Sequence, residues 1–141
     1  MFGHPLHPAL VHFPIALLLS ATIADLAWLG GFTRDTQVGA IMMAGGLVTG
    51  LIAMGAGMVD FARLEQAIVP HALRHAGAVG LAWLGYAVAL YLRRDSLVGS
   101  SPIGTPTIAV SIASCSLLGV GGWLGGRLVY GFGVGVSNQP L

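Results

Sequence analysis

Four stretches of this chain are long and apolar enough to cross a bilayer, and the charge between them is too sparse for any other kind of fold. Six Arg, no Lys and five acids make up 8% of the 141 residues, whereas an ordinary soluble domain carries about 25%. A water-facing surface cannot be built from so few charges. A soluble globular domain, a nucleic-acid binder and a disordered tail are therefore excluded. The net charge of +1 gives no electrostatic case for a polyanionic partner. A single cysteine, Cys115, excludes an internal disulfide framework, a cysteine-based zinc site and an iron–sulfur cluster.

A bilayer core takes about 20 mainly apolar residues per helix, and the spans fall at about 9–31, 38–59, 71–92 and 106–130. Open strands are excluded, because lipid satisfies none of their edge hydrogen bonds. The expected fold is all-α, a polytopic four-transmembrane-helix bundle in which residues 1–141 form a single membrane domain. No basic residue precedes the first span, and Met1 to Pro14 holds three His and three Pro. That segment makes a poor signal-peptide n-region, so the first span is expected to be retained.

Four spans put both termini on one side, here called side A, together with the connection holding Asp60, Arg63, Glu65, Pro70 and His71. Side B carries Thr33-Arg34-Asp35 and Arg93-Arg94-Asp95. Arg74 and Arg127 fall inside helices, so Arg63 is the clear loop cation of side A. The positive-inside count then leans toward side B as cytoplasmic. The expectation is a multi-pass protein of a bacterial inner membrane with both termini on the outer, periplasmic side.

The 22 Gly concentrate in the second and fourth spans and the tail. Gly46/Gly50, Gly121/Gly125 and Gly122/Gly126 are small-xxx-small pairs, which let helix backbones approach closely. Packing within the bundle is the bland reading; a homo-oligomer contact or a groove for a flat ligand are the sharper ones. Trp28, Trp123, Tyr91 and Tyr130 suit an interfacial belt, whereas Trp83 and Tyr86 lie deeper and read as packing residues. Met54 and Met58 share a face at i, i+4, and gap-filling explains them better than metal ligation.

All five histidines, His4, His7, His12, His71 and His75, lie on side A. His4-Pro5 and His7-Pro8 repeat at a spacing of three. Residues before proline favour extended or polyproline II backbone, and three residues make one polyproline II turn, so both rings are expected on one side of an extended lead-in. His71 and His75 share a face of the third span's first turns. His12 and His75 enter from the same side and should lie at similar depth. Three chemistries can use such a cluster. One is a b-type haem held by two imidazoles from different helices, with Arg74, Arg127 or Arg63 pairing its carboxylates. The second is a zinc or copper site built from His4, His7, His12, His71 or His75, with Asp60. The third is a proton relay through His and Asp60. Against all three stands the bland reading, in which the imidazoles solvate a membrane edge and cap helix ends. The absence of a CxxCH run excludes covalent c-type haem.

A charge within lipid costs about 2.5–3.5 kcal/mol on insertion scales, so Asp60 is expected to pair with Arg127 or Arg74. Asp25 lies roughly 20 Å from His12 along the helix, too far to join the histidines, and should pair with Arg93 or Arg34. Ser111, Ser114 and Ser116 are expected to bond back to their own helix.

The opening Gly3-His4-Pro5-Leu6-His7-Pro8-Ala9-Leu10-Val11-His12-Phe13-Pro14-Ile15-Ala16-Leu17 resembles the signature of a bacterial membrane family, domain of unknown function 2231. The closing Gly121-Gly122-Trp123-Leu124-Gly125-Gly126-Arg127-Leu128-Val129-Tyr130, with Gly131 to Val136, is similar to that family's C-terminal pattern. Asp60 after a Gly-rich second span, with His71 and His75 opening the third, also fits. The resemblance covers nearly the whole chain and implies a four-span bundle without an established activity. Fusion of some relatives to Rieske-type iron–sulfur domains implies redox work, although this chain has too few Cys for a cluster.

The reading that results is a membrane-embedded bis-His b haem for electron transfer, with His12 and His75 as axial ligands. His7 is the substitute for His12 and His71 the substitute for His75, while Arg74 and Arg127 meet the haem carboxylates. A redox partner or larger membrane complex is expected. The alternatives are a non-redox accessory subunit of a larger membrane complex, which would use the Gly faces for docking, and a zinc or copper site. No nucleophile–base pair supports a stand-alone enzyme.

Overall fold

The computed structural model describes residues 6–136, so His4 lies outside the described residues. Among them there are helices and turns and no strand. The order is α1 (Leu6–Leu10), α2 (His12–Leu29), α3 (Gln37–Phe61), α4 (Val69–Leu92), a 3-10 turn at Arg94–Leu97, α5 (Thr105–Gly126) and a π-helical turn at Arg127–Gly131. Counting α1 with α2 and the π turn with α5, four helical segments are long and apolar enough to cross a membrane: His7–Leu29, Gln37–Phe61, Val69–Leu92 and Thr105–Gly131. Each coincides with one of the apolar stretches read from the sequence.

The lead-in differs from the extended form expected of His-Pro repeats. Leu6–Leu10 is helical, and the Val11 amide donates to the His7 carbonyl at 3.1 Å. Pro8 is tolerated because an amide in a helix's first turn has no intrahelical acceptor to lose.

Packing is dense within two hairpins, α2–α3 and α4–α5, and much sparser between them. The two hairpins repeat each other at an offset of 68 residues. Pro14, Leu18 and Ala21 of α2 are buried, as are their counterparts Ala82, Tyr86 and Ala89 of α4. Gly39, Ala40, Met43, Gly46 and Ala53 of α3 are buried, as are Thr107, Ile108, Ser111, Ser114 and Gly121 of α5. The letters differ at almost every pair, so the repeat is one of burial pattern. α2 and α4 run in the same direction, which places the relating axis along the bundle, as in parallel-repeat membrane proteins.

Glycines make the close approaches. A Cβ on Gly46 would stand 2.6 Å from Leu18 Cγ, one on Gly50 would stand 3.0 Å from the Trp83 ring, and one on Gly121 would stand 2.5 Å from Val79. Gly46/Gly50 and Gly121/Gly125 therefore serve packing inside the bundle. Gly122 has nothing within 4 Å and Gly126 meets only Tyr130 at 4.0 Å, so that pair faces outward. Leu18, Ala21, Met43, Leu47, Tyr86 and Ala89 form the central core. Burying Tyr86 without a hydroxyl partner would cost about 1–3 kcal/mol. Thr22 Oγ1 supplies that partner at 2.7 Å. The Trp83 indole N–H donates to the Leu47 carbonyl at 2.9 Å, tying α4 to α3.

Candidate functional site

Residues that are equivalent under the 68-residue offset and also touch each other must lie on the relating axis. Two pairs do so. Near side B, Arg93 forms an ion pair with Asp25, each about 1% exposed at the side chain. Near side A, the His7 and His75 rings lie 6.2 Å apart, centre to centre, with their planes at 80°. From residue 7 to 25, and from 75 to 93, the helices rise roughly 27 Å. The two pairs thus sit near opposite edges of a hydrocarbon core about 30 Å thick.

The side B pair is a buried polar plug in which Arg93 Nε has no hydrogen-bond partner among the described residues. Arg93 Nη2 donates to the Thr36 carbonyl at 2.6 Å, and the Ser111 hydroxyl donates to Asp25 Oδ2 at 3.1 Å. Thr36 Oγ1 donates to the Ser101 carbonyl at 2.9 Å and accepts the Ser101 amide at 3.0 Å. Every arm of Asp25 is therefore met inside the protein, and Arg93 is withdrawn from the surface charge of side B. Of the three serines expected to bond to their own helix, Ser114 and Ser116 do, at 2.7 Å to Val110 and 3.0 Å to Ile112. Ser111 instead crosses to Asp25, because α5 presents it to the axis.

At side A the hydrogen bonds also repeat. His7 Nδ1 lies 2.7 Å from the Ala53 carbonyl and His75 Nδ1 lies 2.8 Å from the Gly121 carbonyl, each across 46 residues of sequence. A carbonyl only accepts, so both Nδ1 atoms donate. That fixes the tautomer and leaves both Nε2 atoms with a free lone pair. The glycines one turn further along sit against the same rings. A Cβ on Gly57 would stand 3.0 Å from His7 Nδ1, and one on Gly125 would stand 3.0 Å from His75 Cε1. α3 and α5 thus offer each imidazole a carbonyl to orient it and a bare backbone to lie on.

The structure brings His7, and not His12, to His75. His12 is exposed at the start of α2, its Nδ1 3.3 Å from the Ala9 carbonyl of its own helix, beside a shallow apolar groove with Phe13, Ala16 and Leu17. The structure thus sets His7, rather than His12, against His75. The five-residue step from His7 to His12 turns His12 onto a different face of the helix. His71 does not join the pair either: its ring packs on Phe132 at 4.5 Å. His71, Arg74 and Arg127 line one cleft with Leu124, Leu128 and Phe132.

Asp60 is half-buried at the end of α3 and forms no ion pair among the described residues, contrary to its expected pairing with Arg127 or Arg74. Arg127 stacks over Trp123, 5.2 Å from the ring centre. Asp60 belongs to one hairpin and these arginines to the other. Among the described residues no group of three or more His, Cys, Asp or Glu is gathered in a geometry that can hold a metal ion.

Outside the spans, Asp35 organises the side B connection. Its Oδ1 accepts the Gln37 amide at 2.8 Å and the Ser100 hydroxyl at 3.0 Å. The Gln37 amide first, then Ser100, hold its carboxyl below the usual carboxylate range. This side chain both opens α3 and ties the α2–α3 connection to the segment before α5.

No curated protein and no solved structure matches the chain. Over residues 3–138 it matches the sequence model of a family described as predicted membrane protein, DUF2231, so the chain belongs to that family.

Proposed function

We propose that this chain is an integral membrane b-type haem protein that passes electrons near one face of a bacterial inner membrane, with His7 and His75 as the axial ligands. The observation that carries this reading is the paired Nδ1 bonding. An imidazole that donates Nδ1–H to a carbonyl presents Nε2 as the ligating nitrogen, and such partners fix ring orientation in metal sites. His7 and His75, whose rings lie 6.2 Å apart, are the residues that would hold the haem.

The donor set favours haem over the zinc or copper alternative. A structural zinc takes four protein ligands and a catalytic zinc takes three. This site offers two histidines, and no third ligating residue joins them among the described residues. A macrocycle that brings its own four equatorial nitrogens needs two axial ligands and no more. When bound, haem supplies reversible one-electron exchange. The chain's own residues hold the imidazoles: the Ala53 and Gly121 carbonyls keep each proton on Nδ1, and Gly57 and Gly125 let each ring lie against bare backbone. A redox partner follows from this reading, because the site exchanges electrons without a substrate pocket of its own.

The test is a reduced-minus-oxidised absorbance spectrum of detergent-purified protein expressed with haem precursor. Sharp α and Soret bands are expected. His7→Ala and His75→Ala should each lower haem content at least about tenfold. A flat spectrum from well-folded wild type would overturn the reading and leave the non-redox accessory subunit in its place.

A further inference from the structure

The cleft between the start of α4 and the end of α5 holds the arginines expected from the sequence to meet the haem carboxylates, but neither His7 nor His75 lines it. His71, Arg74, Leu124, Arg127, Leu128 and Phe132 line it. Both arginines are exposed, and neither forms an ion pair among the described residues. His71 Nδ1 is buried without a hydrogen-bond partner there, a condition that carries a desolvation cost unless something else satisfies it. His71, Arg74 and Arg127 thus line one small space, with no ion pair to either arginine and no hydrogen bond to His71 Nδ1 among the described residues.

The end of α5 is built to close that space. Arg127–Gly131 is a π-helical turn, a widened form that often marks functional sites. After it the Gly133 amide donates to the Val129 carbonyl at 3.0 Å and the Val134 amide to the Leu128 carbonyl at 3.0 Å. Gly133 adopts φ +68°, which a side chain would strain. This reversal holds Phe132 against His71. Stacking on Trp123 holds the Arg127 guanidinium while leaving its N–H edges free.

We propose that this cleft binds a phosphate group, and specifically that of an anionic phospholipid headgroup at side A. Guanidinium groups are the natural partners of phosphate oxygens. The cleft volume of about 20 Å³ admits little more than one water-sized group, so an oxygen enters and the rest of the ligand stays outside. Trp123, 62% exposed, lies under the Arg127 guanidinium and gives an apolar surface beside it. That surface suits a glycerol backbone and acyl chain lying on the helices. Basic pockets at the ends of transmembrane helices bind anionic lipids in the same way.

The test is thermal unfolding of the full-length purified chain with dioleoylphosphatidylglycerol, dioleoylphosphatidylcholine or inorganic phosphate added at constant ionic strength. Phosphatidylglycerol is expected to raise the Tm by about 4 °C, and the other two to leave it in place. Arg74→Gln combined with Arg127→Gln should abolish the rise, whereas Arg63→Gln, an exposed side A arginine outside the cleft, should keep it. The His7→Ala/His75→Ala variant should also keep it. Loss of the rise in that variant would tie the arginines to the haem and overturn the proposal. Equal responses to both lipids would also overturn it. An equal response to inorganic phosphate would replace the lipid with a free anion as the ligand.

Discussion

His7 and His75 are bound to their surroundings in the same way, each through Nδ1 to a backbone carbonyl 46 residues further on and each against a glycine one turn beyond that carbonyl. Two imidazoles so held, edge to face on the axis that relates the hairpins, form a site that neither hairpin can make alone.

His12 separates this arrangement from the one expected of sequence spacing. His12→Ala should leave haem content within about twofold of wild type, because its ring bonds only to Ala9 of its own helix. His7→Ala should remove most of it. Haem-to-protein ratios of the two variants, purified side by side, check this; equal losses would put His12 back in the site.

The glycines beside the rings give a second check. Gly57→Ala and Gly125→Ala each place a methyl 3.0 Å from an imidazole atom, so the ring must shift. Each should cost about 1–3 kcal/mol as overpacking and weaken haem binding. Gly122→Ala, with open space around it, should be neutral or stabilising by up to about 1 kcal/mol. Thermal unfolding of the three variants in one detergent distinguishes these outcomes.

The Asp25–Arg93 pair should behave as a buried ion pair. Arg93→Leu leaves a carboxylate without its counter-charge in the bundle and should destabilise by about 3–5 kcal/mol. Replacing both partners, as Asp25→Leu with Arg93→Leu, should recover a large part of that loss. Denaturation midpoints of the single and double variants check the coupling, and simple additivity would argue against it.

Asp35 sets a pH dependence at side B. Its carboxyl is held below the usual range by the Gln37 amide and Ser100, so its stabilising contribution is present above the unfolded-state pKa and lost as pH falls through the lower folded value. The wild type should be more stable than Asp35→Asn by a constant margin above about pH 5, with the two converging on acidification below about pH 4. Tm measured against pH for both proteins checks the sign.

The sequence by itself determined the four spans and the gathering of the histidines on side A. Hydropathy and charge act locally along the chain, and an even number of crossings fixes which segments share a membrane face. It also confined Asp25 to the far end of its helix, with Arg93 or Arg34 as the candidate partners. Which histidines meet, and which arginine answers Asp25, were decided only by the tertiary structure. His7 and His12 are both on side A, and the choice between them depends on the angle at which α2 docks on α3 and on a carbonyl at Ala53. The hairpin repeat was hidden for a related reason. Equivalent positions share burial without sharing chemistry, as with Leu18 and Tyr86 or Asp25 and Arg93, and burial arises only when helices distant in sequence pack together.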